Sequence, residues 1–267
     1  MKLGFIGVGN MGAAILEGIT ARGVIGGEDI VVYDSHAPAV ERARKTGAAA
    51  AAANTGVAAA ADMVILAVKP KDALAVIREI APLLAGKALL SIVAGLSYSA
   101  IDGALAGAAA RVLVIMPNTP ALAGEGAAGF ALETTFTDTE KLFAQKLFEA
   151  VGIVEWVPEK LLAAVSALSG GGPAYAALFA EALADGGVLE GLPRPVAYRL
   201  AAQTLKGTGK LLLETGQHPG AVKDAVCSPG GTTIEAVREL ERGAFRYSVL
   251  NAVHKSAQKF SRLLGQR

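Results

Sequence analysis

Two glycine-containing segments, far apart in the chain, have the residue types of anion-binding sites. The first reads Gly-Val-Gly-Asn-Met-Gly over residues 7–12, and the second reads Val-Cys-Ser-Pro-Gly-Gly-Thr-Thr over residues 226–233. Glycine, serine and threonine at the start of a helix leave several backbone N–H groups without acceptors, and the helix dipole adds positive potential there. A helix start of this kind favours a phosphate or a carboxylate.

The first segment has the context of a dinucleotide fingerprint, because it follows an apolar run and opens a helical pattern. In such a fingerprint Gly7 permits the tight turn, Gly9 lets a pyrophosphate approach the backbone, and Gly12 lets helix and strand pack closely. The second segment then fits a smaller anion. A chain with both sites is predicted to be an oxidoreductase that acts on a carboxylate.

Asp34, at the end of the second predicted strand, bears on the choice of coenzyme. A carboxylate at this place usually accepts hydrogen bonds from the ribose hydroxyls and repels a 2′-phosphate, which favours NADH. Ser35 and His36 are also positioned to receive a phosphate, with Arg42 or Arg44 in reach. The sequence therefore predicts NADPH or NADH and leaves the preference open.

Other strand ends are expected to complete the coenzyme cleft, because ligands of parallel sheets bind beyond the carboxyl ends of the strands. Asn54 is expected on the adenine side, and the segment around Val93 and Ala94 near the nicotinamide. Lys69 either contacts the coenzyme or is solvated. The predicted coenzyme-binding residues are Ile6, Gly7, Val8, Gly9, Asn10, Met11, Gly12, Asp34, Ser35, His36, Asn54, Ala67, Val68, Lys69, Pro70, Val93 and Ala94.

The first half of the chain alternates short apolar runs with helical patterns, which predicts right-handed crossovers and a mostly parallel, doubly wound sheet. The predicted strands are Lys2–Ile6, Ile30–Tyr33, Met63–Val68, Ala88–Val93, Val112–Met116, Gly126–Ala131 and Val154–Val157. The predicted helices between them are Met11–Arg22, Ala37–Lys45, Lys71–Leu84, Tyr98–Leu105 and Thr139–Val151.

After Pro158 the strand pattern stops, and helices are predicted at Leu161–Leu189, Pro195–Thr215, Thr232–Arg242 and Phe245–Leu264. We therefore predict an α/β Rossmann domain over residues 1–158, followed by an all-α dimerisation and substrate domain over residues 159–267. Helices rich in alanine and glycine expose long apolar faces when alone, so we expect them to pack against a second copy by two-fold symmetry.

Composition excludes several other classes of function. The formal net charge of +1 and the lack of a basic cluster argue against nucleic-acid binding. One cysteine and three widely spaced histidines give no metal-ligand pattern, so no metal is predicted. We find no signal-peptide pattern and no apolar run of about 18 residues. The chain is expected to be soluble, cytoplasmic and without a membrane partner.

Several motifs together resemble those of the pyrroline-5-carboxylate reductases. They are Gly7–Gly12, Ala67–Pro70, Met116–Pro120, Leu168–Tyr175 and Val226–Thr233, which occur in the right order along nearly the whole chain. The resemblance implies reduction of 1-pyrroline-5-carboxylate to L-proline by NAD(P)H, the last step of proline biosynthesis. It also implies a homodimer with the substrate site at the interface, and in some cases a higher ring of dimers.

The resemblance further implies roles for residues of the second segment. Thr233 would be the catalytic residue, with its hydroxyl on the ring nitrogen of the substrate. Ser228 and the backbone of Gly230, Gly231, Thr232 and Thr233 would hold the carboxylate. Glu159 would lie near the ring nitrogen as well, although an acid at a helix start is also favoured by the helix dipole alone. The loop offers no lysine, histidine or carboxylate as a general acid.

Two alternatives belong to other classes of protein. A 3-hydroxyacid dehydrogenase shares the fingerprint but needs a lysine on the long interdomain helix, and the segment 171–189 has none. A non-catalytic NAD(P)-sensing protein would bind the dinucleotide without turnover and would not need the second segment.

Overall fold

The structure, a computed structural model, describes residues 1–263 and contains one eight-stranded, mostly parallel sheet. The strands lie in the order β3-β2-β1-β4-β5-β6-β7-β8, and of the described pairs β6 and β7 are antiparallel. The predicted doubly wound α/β class is thereby confirmed. The strands are β1 Leu3–Ile6, β2 Ile30–Tyr33, β3 Ala49–Ala50, β4 Met63–Leu66, β5 Ala88–Ser91, β6 Arg111–Met116, β7 Gly126–Ala131 and β8 Gly152–Val157.

Helices cover both faces of this sheet, which explains why its central strands are continuously apolar. Side chains alternate along each strand: Phe5 and Ile65 belong to one buried cluster, and Ile6 and Val64 to the other. The helices are α1 Asn10–Ala21, α2 Ala37–Arg44, α3 Asn54–Ala60, α4 Pro70–Ile80, α5 Tyr98–Leu105 and α6 Asp138–Glu149.

The remainder of the described chain is helical. Its helices are α7 Leu162–Val165, α8 Gly172–Leu189, α9 Arg194–Thr215, α10 Pro219–Val226, α11 Thr232–Arg242 and α12 Phe245–Leu263. The chain forms two compact units: Met1–Gly170 together with the described residues from Ser256 onward, and Gly171–Lys255. The predicted division at residues 158 and 159 remains a prediction, and it lies inside the first unit.

The helical unit has a small core of its own and many exposed apolar side chains. Its buried cluster consists of Ala184, Ala197 and Ala201. Leu178 and Leu189 are 68% and 84% exposed. Faces of this kind are typical of an interface that a second chain covers.

One helical stretch of the described residues, Glu159–Leu189, is long and apolar enough to cross a membrane by length and composition alone. The prediction concerned unbroken apolar runs of about 18 residues, and this stretch is not one, because Glu181 and Asp185 interrupt it. The stretch is not one regular helix, since a π-helical turn at Ser166–Gly170 interrupts it. The predicted single helix Leu161–Leu189 was therefore wrong in its interior.

Three elements were missed by the sequence patterns: β3, α3 and α10. The first two lie in the alanine-rich segment 48–61, where no periodicity distinguishes buried from exposed positions. Most other bounds agree to within one or two residues. The predicted end of the last helix at Leu264 lies outside the described residues.

A partly buried ion pair joins α6 to β6, with Glu140 buried and Arg111 half-buried. Arg111 donates hydrogen bonds to Glu140 at 2.6–2.9 Å and to the carbonyl oxygen of Gly86 at 2.8 Å. Glu140 also accepts from the backbone N–H of Thr137 at 2.9 Å, which completes a capping box at the start of α6. Burial alone would raise the pKa of Glu140, but the bonds from Arg111 and Thr137 outweigh it and hold that pKa below its ordinary value.

We predict that Glu140→Gln lowers the free energy of unfolding by about 1.5–3 kcal/mol, because the half-buried guanidinium of Arg111 loses its charged hydrogen-bond partner. Since the folded pKa is lowered, this stabilisation is present above a pH of about 4.3 and is lost as the pH falls through the folded pKa. Urea unfolding at about pH 7 and about pH 3 measures both effects. Glu149→Gln, on the exposed side of the same helix, is the control and should change little. Equal losses for the two variants would contradict the prediction.

Candidate active site

The turn after β1 brings the chain very close to the end of β4. Gly7 has a φ of +94°, and its N–H donates to the carbonyl oxygen of Tyr33 at 2.8 Å. A Cβ atom on Gly7 would lie 2.6 Å from the carbonyl oxygen of Ala67. Only glycine allows both the positive φ and this close approach, so the turn itself requires glycine at this position.

Gly9 and Gly12 have different surroundings, and the difference tests whether a dinucleotide fits. A Cβ on Gly12 would collide with the carbonyl oxygen of Gly7, so Gly12 serves the packing of α1. A Cβ on Gly9 would meet no heavy atom within 4 Å, because Gly9 faces an open cleft. Gly9 is the N-cap of α1, where no side chain caps the helix. The free N–H groups and open space fit a pyrophosphate.

Asp34 holds the glycine turn to the segment after β2. Its Oδ2 accepts from the N–H of Val8 at 2.8 Å, and its Oδ1 accepts from the N–H of His36 at 2.9 Å. The sequence predicted a ligand contact here and did not foresee this bridge. Both oxygens of the carboxylate are fixed by the backbone, so its charge has a fixed place beside the cleft.

The cleft has a volume of about 760 Å³ and lies beyond the carboxyl ends of β1, β2 and β4. Nine residues predicted to bind the coenzyme line it: Gly7, Gly9, Asp34, Ser35, His36, Asn54, Ala67, Val68 and Lys69. Five lining residues were missed: Tyr33, Ala39, Lys71, Asp72 and Val76. Lys71 and Asp72 lie in the first turn of α4, directly after Lys69 and Pro70. The start of this helix beyond a strand end could have predicted that they line the cleft.

Other predicted coenzyme residues lie around this cleft but do not line it. The side chains of Ile6 and Val8 are fully buried in the two apolar clusters, the N–H of Val8 donates to Asp34, and the carbonyl oxygen of Ile6 accepts from Ala67, so their predicted contact with the coenzyme remains a prediction. Pro70 begins α4, and Asn10, Met11 and Gly12 form the first turn of α1. Val93 lines a second, smaller pocket at the ends of β5 and β6, and Ala94 is its neighbour in sequence.

Glu159 lines that second pocket, and its carboxylate caps a helix far away in the sequence. Its Oε1 accepts from the N–H of Tyr98 at 2.6 Å, at the start of α5. Its own N–H donates to Oε2 of Glu133 at 2.6 Å. Glu159 thus ties the loop after β5 to the segment that leads into α7. A role of Glu159 at the substrate ring nitrogen remains a prediction. Its carboxylate caps α5, whereas the sequence suggested that it stabilises the start of the helix that follows it.

Asn118, within the Met-Pro-Asn-Thr-Pro segment, is a buried residue that the sequence treated only as part of a rigid loop. Its Nδ2 donates to the carbonyl oxygen of Ser169 at 3.0 Å, and its Oδ1 accepts from the N–H of Ala127 at 2.8 Å. The asparagine therefore joins β7 to the π-helical turn at Ser166–Gly170. Two of the motifs that carry the family resemblance meet at this side chain.

The segment after α10 has the predicted form of a helix start open to an anion. The N–H of Gly231 donates to the carbonyl oxygen of Ser228 at 3.0 Å, and Gly230 has a φ of +67°. α11 then begins at Thr232 without a side-chain cap. Ser228, Gly230 and Thr232 are exposed, while Gly231 and Thr233 are half-buried. The first N–H groups of the helix are thus available to a ligand.

We predict that Gly9→Ala and Gly12→Ala have opposite consequences. Gly9 has the ordinary dihedral angles φ −65° and ψ −161° and free space for a methyl group, so the variant should unfold like the parent. The methyl group would occupy the approach of the pyrophosphate and weaken coenzyme binding about ten-fold or more, or ~1.4 kcal/mol. Gly12→Ala should lower the free energy of unfolding by about 1–3 kcal/mol, because its methyl group overlaps the Gly7 carbonyl.

Thermal melting and calorimetric titration with NADH and NADPH measure the two effects for each variant. Each glycine serves as the control for the other, since one substitution tests the ligand space and the other tests the packing. Undiminished coenzyme affinity in a folded Gly9→Ala protein would contradict the assignment of the cleft.

Comparisons with known proteins agree with this geometry in both halves of the chain. The family described as "NADP oxidoreductase coenzyme F420-dependent" matches residues 2–95. The family described as "Pyrroline-5-carboxylate reductase dimerisation" matches residues 159–263. The second match includes the apolar stretch Glu159–Leu189.

Relatives and solved structures match the chain over nearly its whole length. It is 42% identical to the pyrroline-5-carboxylate reductase of Escherichia coli (strain K12), over 98% of each chain. It is 39% identical to that of Methanosarcina acetivorans, over 100% of this chain and 98% of the relative. The Coxiella burnetii enzyme structure has a TM-score of 0.92 at 33% identity, over 98% of each chain.

The structure of Plasmodium falciparum pyrroline carboxylate reductase with NADP bound has a TM-score of 0.88 at 34% identity. It covers 99% of this chain, and the chain covers 98% of it. Fold, motif order and full-length identity therefore agree, and the chain belongs to the pyrroline-5-carboxylate reductase family.

Proposed function

We propose that this protein reduces 1-pyrroline-5-carboxylate to L-proline, with NADPH or NADH as the reductant, in the last step of proline biosynthesis. The observation that carries the proposal is the identity of about 40% with pyrroline-5-carboxylate reductases across the whole chain. The open cleft at Gly9 and the uncapped start of α11 supply the two anion sites that such a reaction needs.

The residues of the cleft have distinct tasks in holding the coenzyme. When bound, a reduced nicotinamide coenzyme supplies the hydride that reduces the carbon–nitrogen double bond. The backbone at Gly9 and the first turn of α1 hold its pyrophosphate through N–H groups. Asp34 fixes the turn, and Asn54 and Lys69 line the cleft on the side of β4 and α3. The loop around Val93 and Ala94, at the second pocket beyond β5 and β6, would adjoin the nicotinamide.

The segment before α11 holds the substrate. Its carboxylate is bound by Ser228 and by the backbone N–H groups of Gly230, Gly231, Thr232 and Thr233, where the helix dipole is positive. The Thr233 hydroxyl contacts the ring nitrogen. A threonine hydroxyl is too weak an acid to protonate an imine alone. The substrate enters protonated, or takes its proton from water through Thr233, and the protein acts by positioning and electrostatics.

The family match makes residues 159–263 a dimerisation segment, and the exposed apolar faces of the helical unit agree with it. We propose a homodimer with the substrate site at its interface, further assembled into a ring of dimers. Light scattering of the purified protein tests the assembly. A cytoplasmic location, where reduced nicotinamide coenzymes are regenerated, belongs to the same proposal.

A spectrophotometric assay with 1-pyrroline-5-carboxylate, run with NADH and NADPH in parallel, tests the reaction. We expect oxidation of at least one coenzyme with proline formed in equal amount. Binding of both coenzymes without oxidation of either would leave the dinucleotide site in place and overturn the reductase proposal. A coenzyme-sensing role would then be the one to pursue.

Thr233 offers a sharper test of the substrate site. We predict that Thr233→Ala lowers kcat/KM for the imine roughly 10- to 1,000-fold, the range for loss of one oriented hydrogen bond. Thr233→Ser keeps the hydroxyl and should be mild by comparison. Coenzyme affinity, measured by calorimetry, should be the same in both variants. Parental kinetics in Thr233→Ala would rule out the assigned role.

A further inference from the structure

We infer that this reductase selects NADH over NADPH, and that Asp34 is the residue that determines the selectivity. The inference rests on the proposed function, because it concerns the coenzyme of the same site. It departs from the NADP named for one of the family matches and bound in the Plasmodium falciparum structure.

The first argument is that the charge of Asp34 has a fixed position. Its two oxygens accept from the N–H groups of Val8 and His36 at 2.8 and 2.9 Å, on two different segments of the chain. A free aspartate could rotate away from an approaching phosphate, but rotation here would break both bonds. Asp34 lines the cleft at the end of β2, where the adenosine ribose of a dinucleotide lies. A 2′-phosphate carries a charge of about −1.5 to −2 and would face this carboxylate.

The second argument is that the arginines nearest to this place already have partners. Nε of Arg42 lies 3.3 Å from a carboxylate oxygen of Glu17, and its Nη2 donates to the carbonyl oxygen of Gly9 at 3.4 Å. Nη1 of Arg44 lies 3.3 Å from a carboxylate oxygen of Glu41. No arginine is among the described residues that line the cleft. Arg42 and Arg44, which the sequence suggested as phosphate ligands, are thus each held in an ion pair, and neither can bind a 2′-phosphate without giving up its carboxylate partner.

The third argument concerns the lysines that do line the cleft. Lys69 and Lys71 follow β4, and β1 lies between β4 and β2 in the sheet. Neighbouring strands are about 4.8 Å apart, so the ends of β2 and β4 are separated by about 10 Å. Asp72 lines the same part of the cleft and offsets one of the lysines. These lysines suit the central phosphates better than a group on the ribose beside Asp34.

Calorimetric titration of the full chain with NADH and with NADPH tests the inference without relying on turnover. We expect the Kd for NADPH to exceed that for NADH about ten-fold or more, which is the penalty of an unpaired like charge at the site. The ratio should fall as salt is raised from about 0.05 to about 0.5 M, because screening weakens the repulsion. A role of Asp34 in holding the turn alone would change both affinities equally and would not depend on salt in this way.

Asp34→Asn removes the charge while keeping one acceptor, and it should bring the NADPH-to-NADH ratio of Kd values to within about three-fold of 1. Asp34→Ser, which also retains an acceptor, is the second variant should the amide disturb the turn. Asp62→Asn is the matched control. Asp62 likewise accepts from a backbone N–H, that of Lys2 at 2.8 Å, but it precedes β4 at the opposite end of the sheet. This control should keep the parental ratio.

Equal or tighter binding of NADPH by the parent would overturn the inference. An unchanged ratio in folded Asp34 variants would overturn the role of Asp34. Neither result affects the reductase proposal, which fails separately if coenzyme binds and no proline forms. Melting temperatures show whether each variant is folded. If no Asp34 variant folds, the ratio of Kd values of the parent and its dependence on salt test the inference.

Discussion

The close approach of the chain to itself at Gly7 is the constraint on which the coenzyme site depends. The carbonyl group of Ala67 lies where a side chain on Gly7 would be, so β1, the turn and the end of β4 form one compact backbone crossing. Gly12, in the first turn of α1, is constrained in the same way, because a Cβ atom there would overlap the carbonyl oxygen of Gly7. With the space inside the crossing filled by backbone, Gly9 alone is left facing outward. The open cleft is thus a consequence of tight packing immediately behind it.

Hydrogen bonds between side chains and the backbone then fix the loops that surround this crossing. Asp34 joins the glycine turn to the segment after β2, Glu159 joins the start of α5 to the chain before α7, and Asn118 joins β7 to the π-helical turn. Each of these groups connects segments that are distant in sequence through backbone N–H or carbonyl groups. Loops beyond strand ends have few backbone partners of their own, so such bridges give them a defined shape.

The sequence was informative where a pattern has one physical cause. Continuous apolar runs gave the buried strands, and Gly7, Gly9 and Gly12 gave the turn. The sequence did not predict α3, because the alanine-rich segment 48–61 does not alternate between apolar and polar residues in a way that would mark a buried and an exposed face. Packing against β1 fixes this helix instead: a Cβ atom on Gly4 would lie only 2.6 Å from the Val57 side chain, so α3 lies directly against the backbone of β1. The bridging roles of Asp34 and Glu159 depend on contacts across 26 and 61 residues, which no local pattern contains.

Both anion sites are built from backbone N–H groups at helix starts, and this limits the chemistry they perform. Backbone N–H groups are too weakly acidic to give a proton to a ligand at neutral pH. They fix the position of the ligand and balance its charge without acting as general acids. A threonine hydroxyl adds direction but little acidity. The proton that the product nitrogen carries must then come from the substrate or from water. A substrate segment that binds its anion without a general acid of its own is suited to a reaction in which the coenzyme carries the difficult step and the protein supplies orientation.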